Sequence, residues 1–531
     1  MTRATRESAW TPLRVQAFRV LWLAQLGSMI GTWMQTVGAQ WLLVDTAGAA
    51  TLVALVQVAA LLPVLLLALP AGALGDIFDR RRLLIGVQGF QLTVGAALTV
   101  LTATDRMTPA LLLTFTFLLG CGAALAIPAY GVLLQELVPT AQVRAAAALS
   151  GIAMNMARAV GPAIAGLIIG WVGPAAVFGI NAFSFVVVLV TLTVVRPPRS
   201  DDAGLPERFT SAMRAGGRYV RYSPVVRRLL LRAALFVLPG AALWALLPLV
   251  ATRLLGLGAS GYGLMLGALG VGAVLAADLL PRFGSRLSAN RVLLISGAAF
   301  GAALLACVLV RNTVVVMLML VPAGMAWLAV LVGVSGTLQV FLPAWVRARG
   351  LSMYTIVFAG GQAIGAFVWG VLAQWWGLVP TFVLAAIVMA AGTATVVVWP
   401  LRDVSGWNRD PQVYWPEPDL HTEPDPEDGP VLVTITLTVP DDQVSDFVDA
   451  MAALRRVKLR TGATTCALYR DGVDPHRFVE VAGYRTWAEH LRQHRGRLTG
   501  TDRAAEERAL ALADSAPEVA HLFPARVVDN S

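Results

Sequence analysis

Along the first 400 positions, apolar residues run in blocks too long for strands and too continuous for one-sided surface helices. Twelve such blocks fall at 18–44, 51–72, 83–104, 108–132, 145–172 and 175–195, then 228–251, 262–281, 291–310, 314–338, 350–375 and 380–399. A helix needs about 20 apolar residues to cross a bilayer, so each block predicts one span. After position 400 the pattern changes. The stretch from Asn408 to Pro430 is rich in proline and acid and reads as an extended linker. Beyond it VLVTITLTV alternates like a strand, the following segment has helical spacing, and TCALYRD and RFVEVAGYR read as strands before two short helices. The order β-α-β-β-α predicts a ferredoxin-like unit of about 100 residues.

The apolar blocks contain a repeat. Gln135, Pro139, Gly161, Gly166, Trp171 and Gly173 return as Gln339, Pro343, Gly365, Gly370, Trp375 and Gly377, each 204 positions later. Each copy is a Gln-x-x-x-Pro loop leading into a long helix punctuated by glycines, and direct repeats suit a transporter of two like-oriented halves. The expected plan is an all-α membrane protein with six-helix bundles at 1–195 and 228–400, a connection at 196–227, a linker at 401–430 and a soluble α+β domain at 431–531.

Composition changes this picture only by dividing it. The chain is 57% hydrophobic and 14% charged, with a mean hydropathy of +0.69, far from a soluble average. Residues 1–400 hold 26 basic and 10 acidic residues, whereas 401–531 hold 15 and 22 together with all five histidines. The basic excess therefore belongs to membrane topology and excludes a nucleic-acid signal. Arginines gather at 80–82, 144, 282–291 and 347–349 and in the central connection, all on one side of the expected topology. Short cytoplasmic loops retain such residues, so both termini, the connection and the tail are expected to be cytoplasmic in a multi-pass protein of the cytoplasmic membrane. The arginines at 3, 6, 14 and 19 precede a run too long for a signal peptide. In the connection, GGRYVRYSP suits an amphipathic helix on the inner leaflet or a solvated linker. Cys121, Cys307 and Cys466 lack metal spacing, and no cofactor or metal is implied.

Two stretches carry gating chemistry. The loop after the second span includes Gly72, Leu74, Asp76, Asp79, Arg80, Arg81 and Arg82 and resembles the major facilitator signature, with Ile77 and Asp79 where that signature has arginine and glycine. There the glycine permits close packing and the aspartate can hold exposed amides at a helix N-terminus, a latch released on switching. The fifth span carries Ala157, Arg158, Gly161, Pro162, Ala165 and Gly166, similar to the helix-five motif of major facilitator exporters. Proline removes a backbone bond and the small residues allow a tight contact that can rock.

Arg158 lies roughly 20 Å into its helix at about 1.5 Å per residue. An arginine at helix centre costs about 2.5–3.5 kcal/mol, so it should face a wet path or a partner. Asn155 shares its face, and the repeat places Gln362 opposite Arg158. These three are the candidate substrate path; a structural role for Arg158, bonding carbonyls where helices bend, is the competing reading. Gln25, Gln35, Gln40, Gln57, Gln88, Gln91 and Asn181 are more simply helix-to-helix bonds. Asp45, Glu136 and Asp278 are the candidate proton carriers.

With Phe18, Arg19, Leu21 and Trp22, the Gly72 loop, Glu136 to Pro139, Asn155 to Pro162 and Tyr219 to Pro224, the chain resembles the transmembrane secretion effector family, the branch that includes enterobactin-exporter-like proteins. The resemblance implies the twelve-helix major facilitator fold and proton-coupled export of a siderophore or drug. A lipid flippase or importer would use the same fold. In the tail, Trp487 to His494 is similar to antibiotic-biosynthesis monooxygenase-type barrels, which leaves a membrane-tethered enzyme as an alternative. A dimerising or partner-binding role for the tail is favoured, since no catalytic constellation stands out. His490 and His494 share a helix face and form half a metal site at most; a solvated face is the expectation.

Overall fold

The structure, a computed structural model, describes residues 10–77, 79–195, 209–283, 287–401, 406–413, 420 and 424–524, without the side chains of 68–77, 209–213, 215, 281, 283 and 411–413. Its helices are α1 (Gln16–Leu42), α2 (Ala49–Ile77), α3 (Arg80–Ala103), α4 (Pro109–Glu136), α5 (Val143–Val172), α6 (Pro174–Val194), α7 (Phe209–Tyr222) and α8 (Pro224–Leu249). They continue with α9 (Ala259–Phe283), α10 (Ala289–Leu309), α11 (Thr313–Phe341), α12 (Ala344–Trp376), α13 (Leu378–Val398), α14 (Val444–Thr461), α15 (Trp487–His494) and α16 (Gly500–Leu510). The strands are β1 (Pro411–Val413), β2 (Val431–Thr438), β3 (Thr465–Arg470), β4 (Arg477–Tyr484), β5 (Arg495–Thr499) and β6 (Glu518–Leu522).

Among the described residues eleven helices, α2–α6 and α8–α13, are long and apolar enough to cross a membrane. The expected first span, α1, has 27 residues but a weaker apolar signal. Two of its polar positions face protein: it packs on α5 and α6, with Gln35 and Gln40 buried. Chain-specific caps start several helices. Asp79 accepts from the Arg82 amide, Thr108 from Leu111 and Ser288 from Arg291, meeting amides that a helix start leaves unpaired.

The contacts divide the chain into two compact units. The first comprises 1–204, 231–334 and 354–400 and holds the helical bundles. Within it α1 packs on α5 and α6, α2 on α4, α3 on α6 and α10 on α13. The core of the first bundle gathers Phe18, Leu21, Trp22, Leu84, Leu133, Leu149 and Val188. The Trp22 indole donates to the Leu149 carbonyl at 3.2 Å.

The second unit comprises 205–230, 335–353 and 401–531. Its main sheet has the order β3-β4-β2-β6, every neighbour antiparallel. With α14 between β2 and β3, and α15 and α16 between β4 and β6, this is the ferredoxin-like arrangement, completed by a strand, β6, that the sequence pattern did not reveal. Alternate β2 side chains are buried against α14 residues Phe447, Met451 and Leu454. The described part of the central connection forms a helix, α7, rather than a free linker. It packs on α14, with Tyr219 buried and edge-on to Trp345 at 5.7 Å.

Candidate transport path and gating elements

The repeated glycines perform matched tasks. A Cβ on Gly166 would stand 2.6 Å from the Ala259 carbonyl and 2.8 Å from Gly263 Cα, and one on Gly370 would stand 3.2 Å from the Ala50 carbonyl. Each therefore brings its repeat helix directly against a helix of the opposite bundle, α5 on α9 and α12 on α2. Gly161 and Gly365 do the same within their own bundles, meeting the Ile30 carbonyl at 3.0 Å and the Leu238 carbonyl at 2.5 Å. Gly173 and Gly377 end the two helices at φ 92° and 84°, the left-handed region where a side chain is strained. Trp171 and Trp375 stand exposed at those ends, as interfacial tryptophans do.

The bundles also meet through polar groups that span one brings. Gln40 donates to the Trp244 carbonyl at 3.2 Å and accepts from the Tyr262 hydroxyl at 2.6 Å. With Gly166 on Ala259 and Gly370 on Ala50, these contacts close the bundles together near the 43–48 and 255–258 turns. The remaining in-span amides mostly bind neighbours: Asn181 donates to Gln35, Gln88 to Gln91 at 3.2 Å, and Gln91 to the Leu119 carbonyl at 3.3 Å.

Arg158 is half-buried on α5, its guanidinium 5.3 Å from the centre of the Trp33 ring. Among the described residues its buried Nε has no hydrogen-bond partner, and Tyr354 of α12 is near enough to interact electrostatically with it. Trp33 lies 6.1 Å from Trp244, Trp244 lies 5.4 Å from Trp327, Trp327 lies 6.0 Å from Phe358, and Phe358 lies 6.4 Å from Tyr354. The Trp244 indole nitrogen is also buried without a partner among the described residues. Among those residues the two bundles thus share an aromatic wall that holds one cation and two unmet donors. Such a surface suits a planar or apolar body bearing a hydrogen-bond acceptor. Asn155 donates to the Gly151 carbonyl at 3.0 Å within its own helix, which leaves its side-chain oxygen to accept; Gln362 is buried on α12. The aromatic wall was missed in the sequence. Its available signal was tryptophan in mid-span at 33, 244 and 327, away from the interfacial belts where tryptophan is usual.

The latch loop is only partly described: Gly72 lies within α2, and the Asp76 side chain lies outside the described residues. Arg80 forms an ion pair with Glu136 at the end of α4, and Arg81 donates to the Leu192 and Thr193 carbonyls at the end of α6, at 2.6 and 2.8 Å. A cation on terminal carbonyls is favoured by the helix dipole. Of the other carboxylates, Asp45 is exposed in the turn after α1 and Asp278 pairs with Arg282 at 2.7 Å. Sequence reading missed Arg232, a buried arginine of α8 that binds the Gly392, Thr395 and Trp399 carbonyls.

In the tail the solvated reading of the histidine pair is overturned. His490 is buried beside His521, ring nitrogens 3.1 Å apart, and packs on Tyr484 and Trp487. Burial, with His494, His521 and Lys458 adding repulsion, pushes His490 down to about 2; burial and Lys458 and His521 push His494 down to about 4.

Two glycine-matched bundles around a shared polar and aromatic interior define a transporter of the major facilitator class. The backbone agrees: the structure resembles the crystal structure of a bacterial homologue of the human lysosomal transporter Spinster (TM-score 0.57, 16% identity, 73% of this chain and 95% of that one) and that of the nucleoside transporter NupG (TM-score 0.52, 14% identity, 72% and 98%). The family model described as transmembrane secretion effector matches residues 7–527, and the chain belongs to that family. It is similar to the staphyloferrin A transporter of Staphylococcus aureus, 24% identical over 67% of this chain and 90% of that protein. It also resembles macrolide efflux protein A of Streptococcus pyogenes, 24% identical over 44% of this chain and 58% of that protein. A third relative is the multidrug efflux pump Tap of Mycolicibacterium fortuitum, 31% identical over 39% and 52%. The chain is thus a multi-pass membrane transporter for small molecules rather than an enzyme.

Proposed function

We propose that this protein exports an amphiphilic small molecule, a siderophore or drug-like compound with an anionic or strongly accepting group, from the cytoplasm by alternating access. The observation that carries the reading is Arg158, a half-buried cation in a span with an unpartnered Nε against Trp33. A cation there costs about 2.5–3.5 kcal/mol unless it serves a wet path. Relatives that carry a siderophore or pump macrolides support the cargo class. The bundle closure near the 43–48 and 255–258 turns suits one extreme of the cycle, with the Gly166 and Gly370 contacts as its pivot. Proton coupling would act through Glu136, whose protonation releases Arg80. The termini, α7 and the tail lie on the cytoplasmic side, with the soluble domain from 431 docking a partner or a second copy.

The test is uptake of siderophore-like and macrolide probes into inside-out vesicles, with and without an imposed proton gradient, comparing wild type with Arg158→Ala at matched protein levels. Gradient-dependent uptake lost in the variant is expected. Full transport of every probe by Arg158→Ala would overturn the role of that residue, and uptake only in right-side-out vesicles would make the protein an importer.

A further inference from the structure

The second unit contains a cavity that belongs neither to the transport path nor to the core of the tail. Its volume is ≈ 280 Å³, and it is lined by Trp345 and Arg349 from the first turns of α12 and by Arg492, Arg495, Gly496 and Arg497 from the end of α15 and the start of β5. Four arginines line it, and among the described residues no carboxylate does. Gly496 takes φ 109°, a turn that only glycine makes without strain, and it brings the arginines on either side to one cavity.

The wall is built rather than incidental. Arg497 is buried, donates to the Thr461 carbonyl at 3.0 Å and to Glu489 at 3.1 Å, and lies 4.8 Å over the Trp345 ring. Glu489 is shared with Arg218, 3.2 Å away, so its single charge is divided between two cations, Arg218 and Arg497. The Trp345 indole nitrogen is buried with no hydrogen-bond partner among the described residues, a donor whose desolvation none of them offsets. Planar guanidinium forks match the oxygens of a phosphate, often two at a time. The volume falls just under the about 300–1,000 Å³ of drug-sized sites, which suits a headgroup-sized anion. Its place agrees: α12 is a span, and Trp345 and Arg349 occupy its first turns, where aromatic and basic side chains meet anionic headgroups.

We infer that this cavity binds a phosphate-bearing anion, with the phosphodiester of an anionic phospholipid and a free phosphate compound as the two sources of that chemistry. The full-length protein, purified in detergent, is examined by native mass spectrometry with phosphatidylglycerol, with phosphatidylcholine, and with phosphatidylglycerol plus millimolar inorganic phosphate. Wild type retains phosphatidylglycerol and not phosphatidylcholine. Arg492→Gln with Arg495→Gln, two exposed positions, lowers retention at least tenfold, and Arg349→Gln, on the other wall, repeats the loss should the double variant misfold. Displacement of the lipid by inorganic phosphate keeps the site and makes its source soluble. Equal retention of phosphatidylglycerol by wild type and both variants, or no binding of either lipid or phosphate by wild type, overturns the inference.

Discussion

The two copies of the repeat, α5 and α12, share a skeleton and differ in chemistry. Both reach across to the opposite bundle through a glycine, Gly166 on α9 and Gly370 on α2, and both end on a left-handed glycine beside an exposed tryptophan. At the position where α5 carries Arg158, α12 carries Gln362; where the first loop carries Glu136, the second carries Val340. The loops are also held differently. Glu136 pairs with Arg80, whereas Phe341 lies 4.0 Å beneath the Arg409 guanidinium and tilts against Trp407, and Trp345 meets Tyr219 and Arg497. Backbone contacts are thus conserved between the copies while charge and anchoring are not. In the proposed cycle the symmetric features would make the hinge, and the asymmetric ones would supply its cargo contact and its trigger.

The sharpest break of the symmetric part is Gly166→Ala. The added methyl would sit 2.6 Å from a carbonyl and 2.8 Å from a backbone Cα, neither of which is a movable side-chain end. Overpacking of this kind costs about 1–3 kcal/mol, and the loss of close approach should abolish transport. Gly370→Ala is expected to do the same from the other side. Thermal melting and vesicle uptake check both; transport surviving in either variant would mean that the contact is packing alone.

The asymmetric part is tested next by Arg158→Gln, which makes the two copies alike. Losing a charge-assisted bond to cargo costs about 1.5–3 kcal/mol, or about 10–100-fold in affinity for an anionic probe, with little change for a neutral one. Melting should not fall, because the variant removes a cation from a span. An equal loss for anionic and neutral probes would return Arg158 to a structural role. Glu136→Gln comes third. The ion pair it breaks is partly exposed, 34% and 22%, so it is worth about 0–1 kcal/mol, and uptake should change by up to about fivefold and lose its gradient dependence.

How much of this was legible in the sequence follows the same division. A fixed offset of 204 exposed the repeat because glycine and proline act through the backbone, where few substitutes serve. Arg158 was legible because a charge in an apolar run is costly wherever it points. The aromatic wall was not, since Trp33, Trp244 and Trp327 come together only through packing of three helices from both bundles. The first span was legible in length but weak in hydropathy, because Gln35 and Gln40 spend their polarity on protein partners. In the tail the strand β6 escaped notice: its five residues, Glu518–Leu522, alternate in burial only once β2 lies beside them. The histidines misled for a related reason. Helical spacing put His490 and His494 on one face, and only the sheet beneath decides that the face is covered.

That covered face yields the smallest expected effect, and it acts on the tail. His490 and His494 are held neutral, lowered to about 2 and about 4 chiefly by burial, and His521 is lowered by burial as well. Lys458 adds to the repulsion on the first two. In the unfolded chain they would bind protons near the ordinary value of about 6.5. Their depressed folded values mean that the stability of the tail is fully present above about 6.5 and declines as the pH falls toward 4, since the unfolded state then takes up protons that the folded state refuses. The slope is at most about 1.4 kcal/mol per pH unit for each histidine, and the partial exposure of His494 and His521 reduces it. Hydrogen exchange of the full-length protein at pH 7 and pH 5.5, corrected for intrinsic rates, should therefore show faster opening of 477–523 and no matching change in 143–172, whose packing rests on glycines and apolar contacts. His490→Asn should flatten the pH response of the tail. A tail whose protection is the same at both pH values would show that the folded histidines take up protons as readily as the unfolded ones, which their burial among Tyr484, Trp487 and each other makes costly.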